Sequence, residues 1–144
     1  MTPEQVGLLA DSWNAVASRR EEIARRFYQV LFERHPELRS LFARTDMRAQ
    51  YEKFAGMVDE IVALRTEPQR FVRSAVLLGQ RHVAYGVTRD HYALAGAALI
   101  EALATALGPA FTPAVREAWS DGYLLMSAIM SRAAERVSDQ RAAS

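Results

Sequence analysis

All five prolines of this 144-residue chain stand at breaks between apolar stripes of helical period, and that punctuation restricts the chain to a succession of helices. Thr2-Pro3-Glu4-Gln5 is a helix start: threonine caps, proline suits the first turn, and glutamine reaches back to the amide of the cap. Val6, Leu9, Trp13 and Val16 follow at helical spacing. Ile23, Phe27, Val30 and Leu31 form a second stripe. It stops at His35-Pro36, because proline disfavours helical geometry in the residue before it. Arg39 to Phe42 reads as a short helical turn, and Ala43 to Arg48 as a connection.

Phe54, Met57, Val58, Ile61 and Val62 mark a third long helix, which Thr66-Glu67-Pro68 ends while starting the next. Phe71, Ala75, Leu78 and His82 share one face of that next helix, and Gly86 is its expected stop. Tyr92, Ala95, Leu99, Ala102 and Ala106 form another stripe, ended by Gly108-Pro109. Thr112-Pro113 repeats the opening signal before Val115, Trp119, Gly122, Met126, Ile129 and Ala133. No segment alternates apolar and polar residues as a strand would. The expectation is an all-α domain of six to eight helices over residues 1–137, with a polar tail, 138–144, that frays.

At this length roughly two-thirds of the unfolded surface can be buried, and half the residues are hydrophobic. The net charge of +1 gives no electrostatic case for nucleic acid or an anionic membrane as partner. There are no cysteines, which excludes disulfides, thiolate zinc sites, thiol nucleophiles and cysteine-anchored haem. Met1-Thr2-Pro3-Glu4-Gln5 has neither a basic leader nor an apolar block, so no signal peptide is expected. The alanine-rich run from Tyr92 to Leu107 is interrupted by Glu101, which suits a buried helix better than a membrane span. A cytoplasmic single-domain protein is the default.

His82 is the residue on which function turns. A lone histidine on an apolar face is usually a core residue satisfied by a hydrogen bond; its neutral nitrogen can also bind a metal. Leu78, one turn earlier on the same face, can accept the other imidazole N–H through its carbonyl, which would fix the tautomer and strengthen a ligand. Phe27-Tyr28 and Gln50/Phe54 each place one polar group on an apolar face. No second His, Asp or Glu stands at chelate spacing from His82, whereas zinc would need about three more protein ligands. One histidine suffices only where the metal brings its own equatorial ligands, as haem iron does.

Two motifs then carry a resemblance. Phe27-Tyr28-Gln29-Val30-Leu31-Phe32-Glu33-Arg34-His35-Pro36-Glu37-Leu38-Arg39-Ser40-Leu41-Phe42 and His82-x-x-x-Gly86-Val87-x-x-x-His91-Tyr92 resemble bacterial single-domain globins, close to the haem domain of flavohaemoglobins, over roughly Thr2 to Arg136. The resemblance implies the globin fold and a haem b (iron protoporphyrin IX) cofactor. It implies His82 as the proximal iron ligand, and Phe42 as the ring wedged against the haem. Tyr28 and Gln50 become the distal polar residues, with Phe54 facing the haem one turn beyond Gln50. Leu78, Val87 and Tyr92 are the further cofactor-contacting residues. Without it, Phe42 and Phe54 read as core aromatics, Tyr28 as a packed ring with its hydroxyl on a backbone carbonyl, and Gln50 as solvent-facing. Lys53 and Arg81 read as solvated charges, His35 and His91 as helix-end residues, and Trp13 and Trp119 as helix-packing residues.

The implied function is reversible binding of O2, and of CO and NO, at a five-coordinate ferrous haem. Two hydrogen-bond donors beside the ligand would slow O2 release. The alternatives are an NO dioxygenase served by a separate reductase, since no flavin- or nicotinamide-binding segment follows the last helix, and a gas-sensing globin. One departure bears on the choice. Flavohaemoglobins carry a glutamate on the last helix that joins the proximal histidine and tyrosine; the matching position here is Ala134, with Glu135 beside it. One residue turns about 100° around a helix, so Glu135 is expected to point away.

Overall fold

The computed structural model describes residues 1–143, apart from the side chain of Ala84. It is helical, with no strand among the described residues. Six α-helices follow one another: α1 (Pro3–Ala15), α2 (Arg20–Arg34), α3 (Met47–Val62), α4 (Pro68–Ala84), α5 (Arg89–Leu107) and α6 (Pro113–Ala143). Short 3₁₀ segments link all but α4 and α5, the longest being Pro36–Phe42 between α2 and α3; a turn joins α4 to α5.

The punctuation acts as the sequence predicts. Thr2 caps α1 with a full capping box: Gln5 N–H donates to the Thr2 hydroxyl at 3.1 Å, and Thr2 N–H donates to the Gln5 side chain at 3.0 Å. His35, ahead of Pro36, ends α2. Asp46 caps α3 by accepting from Arg48 N–H at 3.0 Å. His35 and His91 are helix-end residues: His35 is the C-cap of α2, and His91 accepts from Thr88 N–H at the start of α5. Past Val137 the chain departs from expectation, because α6 runs on to Ala143. Gln140, Arg141, Ala142 and Ala143 are good helix formers, and extending a helix already 25 residues long needs no new nucleation.

α4 packs against α6, α2 against α5, and α1 against α6. Their apolar faces merge into one core that includes Leu9, Trp13, Val58, Ile61, Phe71, Leu99, Leu103, Trp119 and Met126. The two tryptophans pack edge to face at 6.4 Å. Each indole N–H is satisfied, Trp13 on Asp59 at 2.8 Å and Trp119 on the Ser12 hydroxyl at 2.9 Å. The segment Arg89–Ala110 is long and apolar enough to cross a membrane by length and composition alone. Here α5 buries Leu99, Ala102 and Leu103 in the core, and Glu101 pairs with Arg26 and Arg34 of α2.

Two glycines set how closely helices approach. A Cβ on Gly79 would stand 2.3 Å from the carbonyl oxygen of Met130, so α4 rests on the backbone of α6 one turn before His82. A Cβ on Gly96 would stand 2.5 Å from the Tyr123 ring, which occupies the space that the missing side chain leaves.

Candidate functional site

The shared face of α4 is graded. Phe71 and Ala75 are fully buried, while Leu78 and His82 are half-buried, so the stripe opens from core to surface as it nears the helix end. His82 stands at that opening. Its Nδ1–H donates to the Leu78 carbonyl at 2.5 Å, the partner its spacing suggested. Nε2 is thereby left as the lone-pair nitrogen. Burial pushes the imidazole pKa down, and the Leu78 carbonyl only partly opposes this, so the ring is held neutral.

α4 ends immediately after His82 in a tight cap. Val87 N–H reaches the His82 carbonyl at 3.1 Å and Gly86 N–H the Val83 carbonyl at 3.2 Å. Gly86 takes φ +78°, a conformation glycine adopts without a Cβ clash. The cap fixes two tyrosines around the imidazole. Tyr85 and Tyr92 each place a ring centroid 6.1 Å from that of His82. Tyr92 is buried, and its hydroxyl has no hydrogen-bond partner. Tyr123 of α6 donates to the Tyr92 backbone carbonyl at 2.6 Å. Glu135 points to the surface as expected, where it pairs with Arg89 at 3.2 Å. No glutamate from α6 therefore reaches Tyr92.

The second cluster is built by α2, α3 and the 3₁₀ segment between them. Tyr28 is buried at its centre. Phe42 and Phe54 meet its ring at 5.4 and 6.0 Å, both edge to face, and Phe54 stacks on Phe27 at 4.3 Å. Gln50 Nε2 donates to the Tyr28 hydroxyl oxygen at 2.8 Å. The Tyr28 O–H is left free to donate elsewhere. Burial raises the phenol pKa to about 12, with the Gln50 bond opposing part of the rise, so Tyr28 is a neutral donor over the whole physiological range. Leu41 approaches Gly86 and links this cluster to the turn beyond His82; a Cβ there would lie 3.8 Å from Leu41.

The sequence-predicted residues thus gather into two groups, Tyr28, Phe42, Gln50 and Phe54 in one, and Leu78, His82, Val87 and Tyr92 in the other. Phe32 and Tyr51 also converge on Tyr28, at 5.8 and 5.9 Å, and had no role in the sequence reading. The available signal was the position of Phe32 one helical turn after Tyr28, and of Tyr51 next to Gln50. Tyr85, three residues after His82, was likewise passed over. Separately, a cleft of about 840 Å³ between α5 and α6 is lined by Tyr92, Ile100, Tyr123 and Leu124.

Among the described residues no three His, Cys, Asp or Glu side chains gather to hold a metal. One neutral imidazole with a free Nε2, facing aromatic walls, suits a metal that arrives with its own planar ligand set.

The chain is similar to known proteins in sequence and in fold. The sequence profile of the Globin family matches residues 25–130. A flavohemoprotein of Rhodopirellula baltica is 32% identical over 110 residues, covering 75% of this chain and 27% of its own. Neuroglobin of Danio rerio is 26% identical over 145 residues, covering 92% and 91%. The solved structure of a bacterial globin from Campylobacter jejuni superposes with a TM-score of 0.84 at 21% identity, covering 96% of this chain and 99% of that one.

Proposed function

The chain belongs to the globin family, which implies a haem cofactor, and we propose from that premise that His82 would hold haem b through Nε2 and that the protein takes up O2, CO and NO. One observation carries this reading: burial favours the neutral imidazole of His82 and the Leu78 carbonyl fixes its tautomer with Nε2 free, while no three metal-ligating side chains gather among the described residues. Bound haem supplies an iron with one open position for a diatomic ligand.

The chain's own residues then act as follows. Leu78 fixes the tautomer of His82 and keeps the imidazole aimed. Phe42, Phe54, Leu78, Val87 and Tyr92 supply apolar surface for the porphyrin. Tyr28 donates its O–H to a diatomic ligand on the distal side. Gln50 donates into the same hydroxyl, which polarises that O–H toward the ligand. A ligand that draws negative charge onto its outer atom, as O2 does, gains most from such a donor. A hydrogen bond to a charged acceptor contributes roughly 1.5–3 kcal/mol, about one to two powers of ten in affinity. Slow O2 release is the expected behaviour.

Titration of purified protein with hemin, followed by absorption, tests the first step. A sharp Soret band that saturates at one haem per chain supports the reading, and failure to develop one overturns it. Stopped-flow replacement of O2 by CO then gives the release rate.

A second reading is favoured by the similarity to flavohemoproteins, of which this chain spans 27% of the Rhodopirellula baltica length. O2 held with slow release can react with NO and one electron to give nitrate, so this globin would serve as an NO dioxygenase with a reductase supplying that electron. Sustained nitrate formation only when a reductase is added would support it.

A further inference from the structure

The cleft between α5 and α6 exists because short side chains face each other across it. Ala93 and Ala97 line it from α5, and Ser127, Ala128 and Ser131 from α6. The Tyr123 ring, packed on Gly96, sits between them. The Ser127 hydroxyl is spent on the Leu124 carbonyl of its own helix, at 3.1 Å, which leaves the middle of the cleft largely apolar. The volume of about 840 Å³ falls within the range of small-molecule sites, roughly 300–1,000 Å³. The two ends differ in character. Ile100 and Leu124 make one end apolar, with Leu124 63% exposed. Arg89, Arg132 and Glu135 make the other end charged. Glu135 is engaged by Arg89 at 3.2 Å, whereas Arg132 has no ion pair or hydrogen bond among the described residues. Two cations against one carboxylate leave that end with one uncompensated positive charge. The Tyr92 hydroxyl has no partner either, but it is enclosed and offers the cleft no donor.

We propose that this cleft binds a free amphipathic monocarboxylate, with its head group on Arg132 and its unbranched alkyl chain running toward Ile100 and Leu124. The free cation selects the head group. A guanidinium presents planar paired donors that match a carboxylate, and the uncompensated charge disfavours an ammonium in the same place. The apolar stretch selects the tail. Arg89 to Ile100 on α5 and Glu135 back to Leu124 on α6 each span eleven residues, about 16 Å of helix, which suits an alkyl chain of medium length. Such a chain would remove the exposed Leu124 side chain and the alanine walls from water, and that burial is the driving force. With a net charge of +1 and a single free cation at the cleft, the occupant is one molecule from solution and not an anionic bilayer. His82 is not part of the lining, so the inference stands apart from the haem reading.

Calorimetric titration of the purified protein with decanoate, kept below its micelle threshold, provides the test. Saturation at one molecule per chain is expected. Along the series hexanoate, octanoate, decanoate, affinity should rise about two- to fourfold for each added methylene. Arg132→Gln should weaken decanoate binding by about two- to fivefold, as loss of an exposed ion pair does. Arg132→Glu should reverse the preference between decanoate and decylammonium, which no loss of fold would imitate. Ala128→Trp fills the cleft from an exposed position on α6 and should lower affinity at least tenfold at unchanged Tm; Ala97→Met, from the α5 wall, should act in the same direction. The proposal is overturned by the absence of saturable binding, by binding that survives both cleft-filling substitutions, or by a carboxylate preference that persists in Arg132→Glu. Binding to phosphatidylglycerol vesicles without binding of free decanoate would overturn it in favour of a membrane surface. A dimer in sedimentation that Ala128→Trp separates would overturn it in favour of a second copy of the chain.

Discussion

The amide of Gln50 donates to the hydroxyl oxygen of Tyr28 across 2.8 Å, joining α3 to α2 at the centre of an aromatic cluster. The direction matters: because the oxygen accepts from Gln50, the phenol proton is left to donate elsewhere. Tyr28→Phe removes that donor with little change in shape. O2 release should quicken by roughly 10- to 100-fold, following a charge-assisted bond of about 1.5–3 kcal/mol. Gln50→Leu should have a smaller effect, because Tyr28 remains and only its polarisation is lost. An unchanged release rate in Tyr28→Phe, measured by CO replacement, would remove Tyr28 from the distal role.

Removing the imidazole should separate ligation from pocket shape. His82→Gly leaves the apolar walls but no Nε2. Haem affinity is expected to fall by at least tenfold, and added imidazole should restore a five-coordinate ferrous spectrum. If His82→Gly binds hemin with wild-type affinity and an unaltered spectrum, another residue is the ligand.

Much of this was legible in the sequence because it is local. Capping by Thr2 and Gln5, the stop at His35-Pro36 and the bond from His82 to Leu78 each lie within one helical turn, where spacing fixes geometry. The outward course of Glu135 follows from the same rule, since one residue past Ala134 is a large rotation. The convergence of Phe32 and Tyr51 on Tyr28 was not legible, because it depends on how α2 crosses α3. Tyr85 escaped for a subtler reason. Spacing of three would keep it near His82 on any helix, but its exposure depends on α4 ending there in the Gly86 turn. The tail beyond Ser138 was misjudged from polarity alone, when an established helix extends readily through polar residues.

Tyr92 and Tyr123 should respond oppositely to loss of a hydroxyl. The Tyr92 hydroxyl is buried without a partner, and enclosing an unsatisfied hydroxyl costs about 1–3 kcal/mol. Tyr92→Phe is therefore expected to be neutral or to stabilise by about 1 kcal/mol. Tyr123→Phe loses a 2.6 Å bond to the Tyr92 carbonyl and should destabilise by about 1 kcal/mol. At this size 1 kcal/mol corresponds to about 3 °C in Tm, which calorimetry at matched haem loading resolves. A clear loss of stability in Tyr92→Phe would mean that its hydroxyl is satisfied in solution.

Gly79 is where α4 meets α6 backbone to backbone. The added methyl of Gly79→Ala would strike the carbonyl oxygen and Cα of Met130, neither of which a rotamer change can move. Pushing α4 away should cost about 1–3 kcal/mol, as overpacking does, partly offset by the better helix propensity of alanine. Because His82 lies less than one turn further along α4, the imidazole should shift with it. A changed iron–histidine stretching band, alongside the lower Tm, would register that shift. Wild-type values of both would show that the two helices yield without strain.

Alkaline unfolding should report the burial of Tyr28. Its pKa is raised from the ordinary 10.0 to about 12 because the buried phenolate is poorly solvated. The unfolded chain loses this proton near pH 10 while the folded protein keeps it. From about pH 10 to 12 the folded state thus binds more protons, and stability must fall as pH rises. The contribution of Tyr28 is complete below pH 10 and is lost through about pH 12. A shift of this size corresponds to about 3 kcal/mol at most, since each unit is about 1.4 kcal/mol. Tyr123, raised in the same direction by burial, adds to the slope. Denaturant midpoints between pH 9 and 12 should therefore decline, and more gently in Tyr28→Phe than in the wild type. Parallel declines in the two proteins would show that Tyr28 titrates normally and that its hydroxyl is open to water.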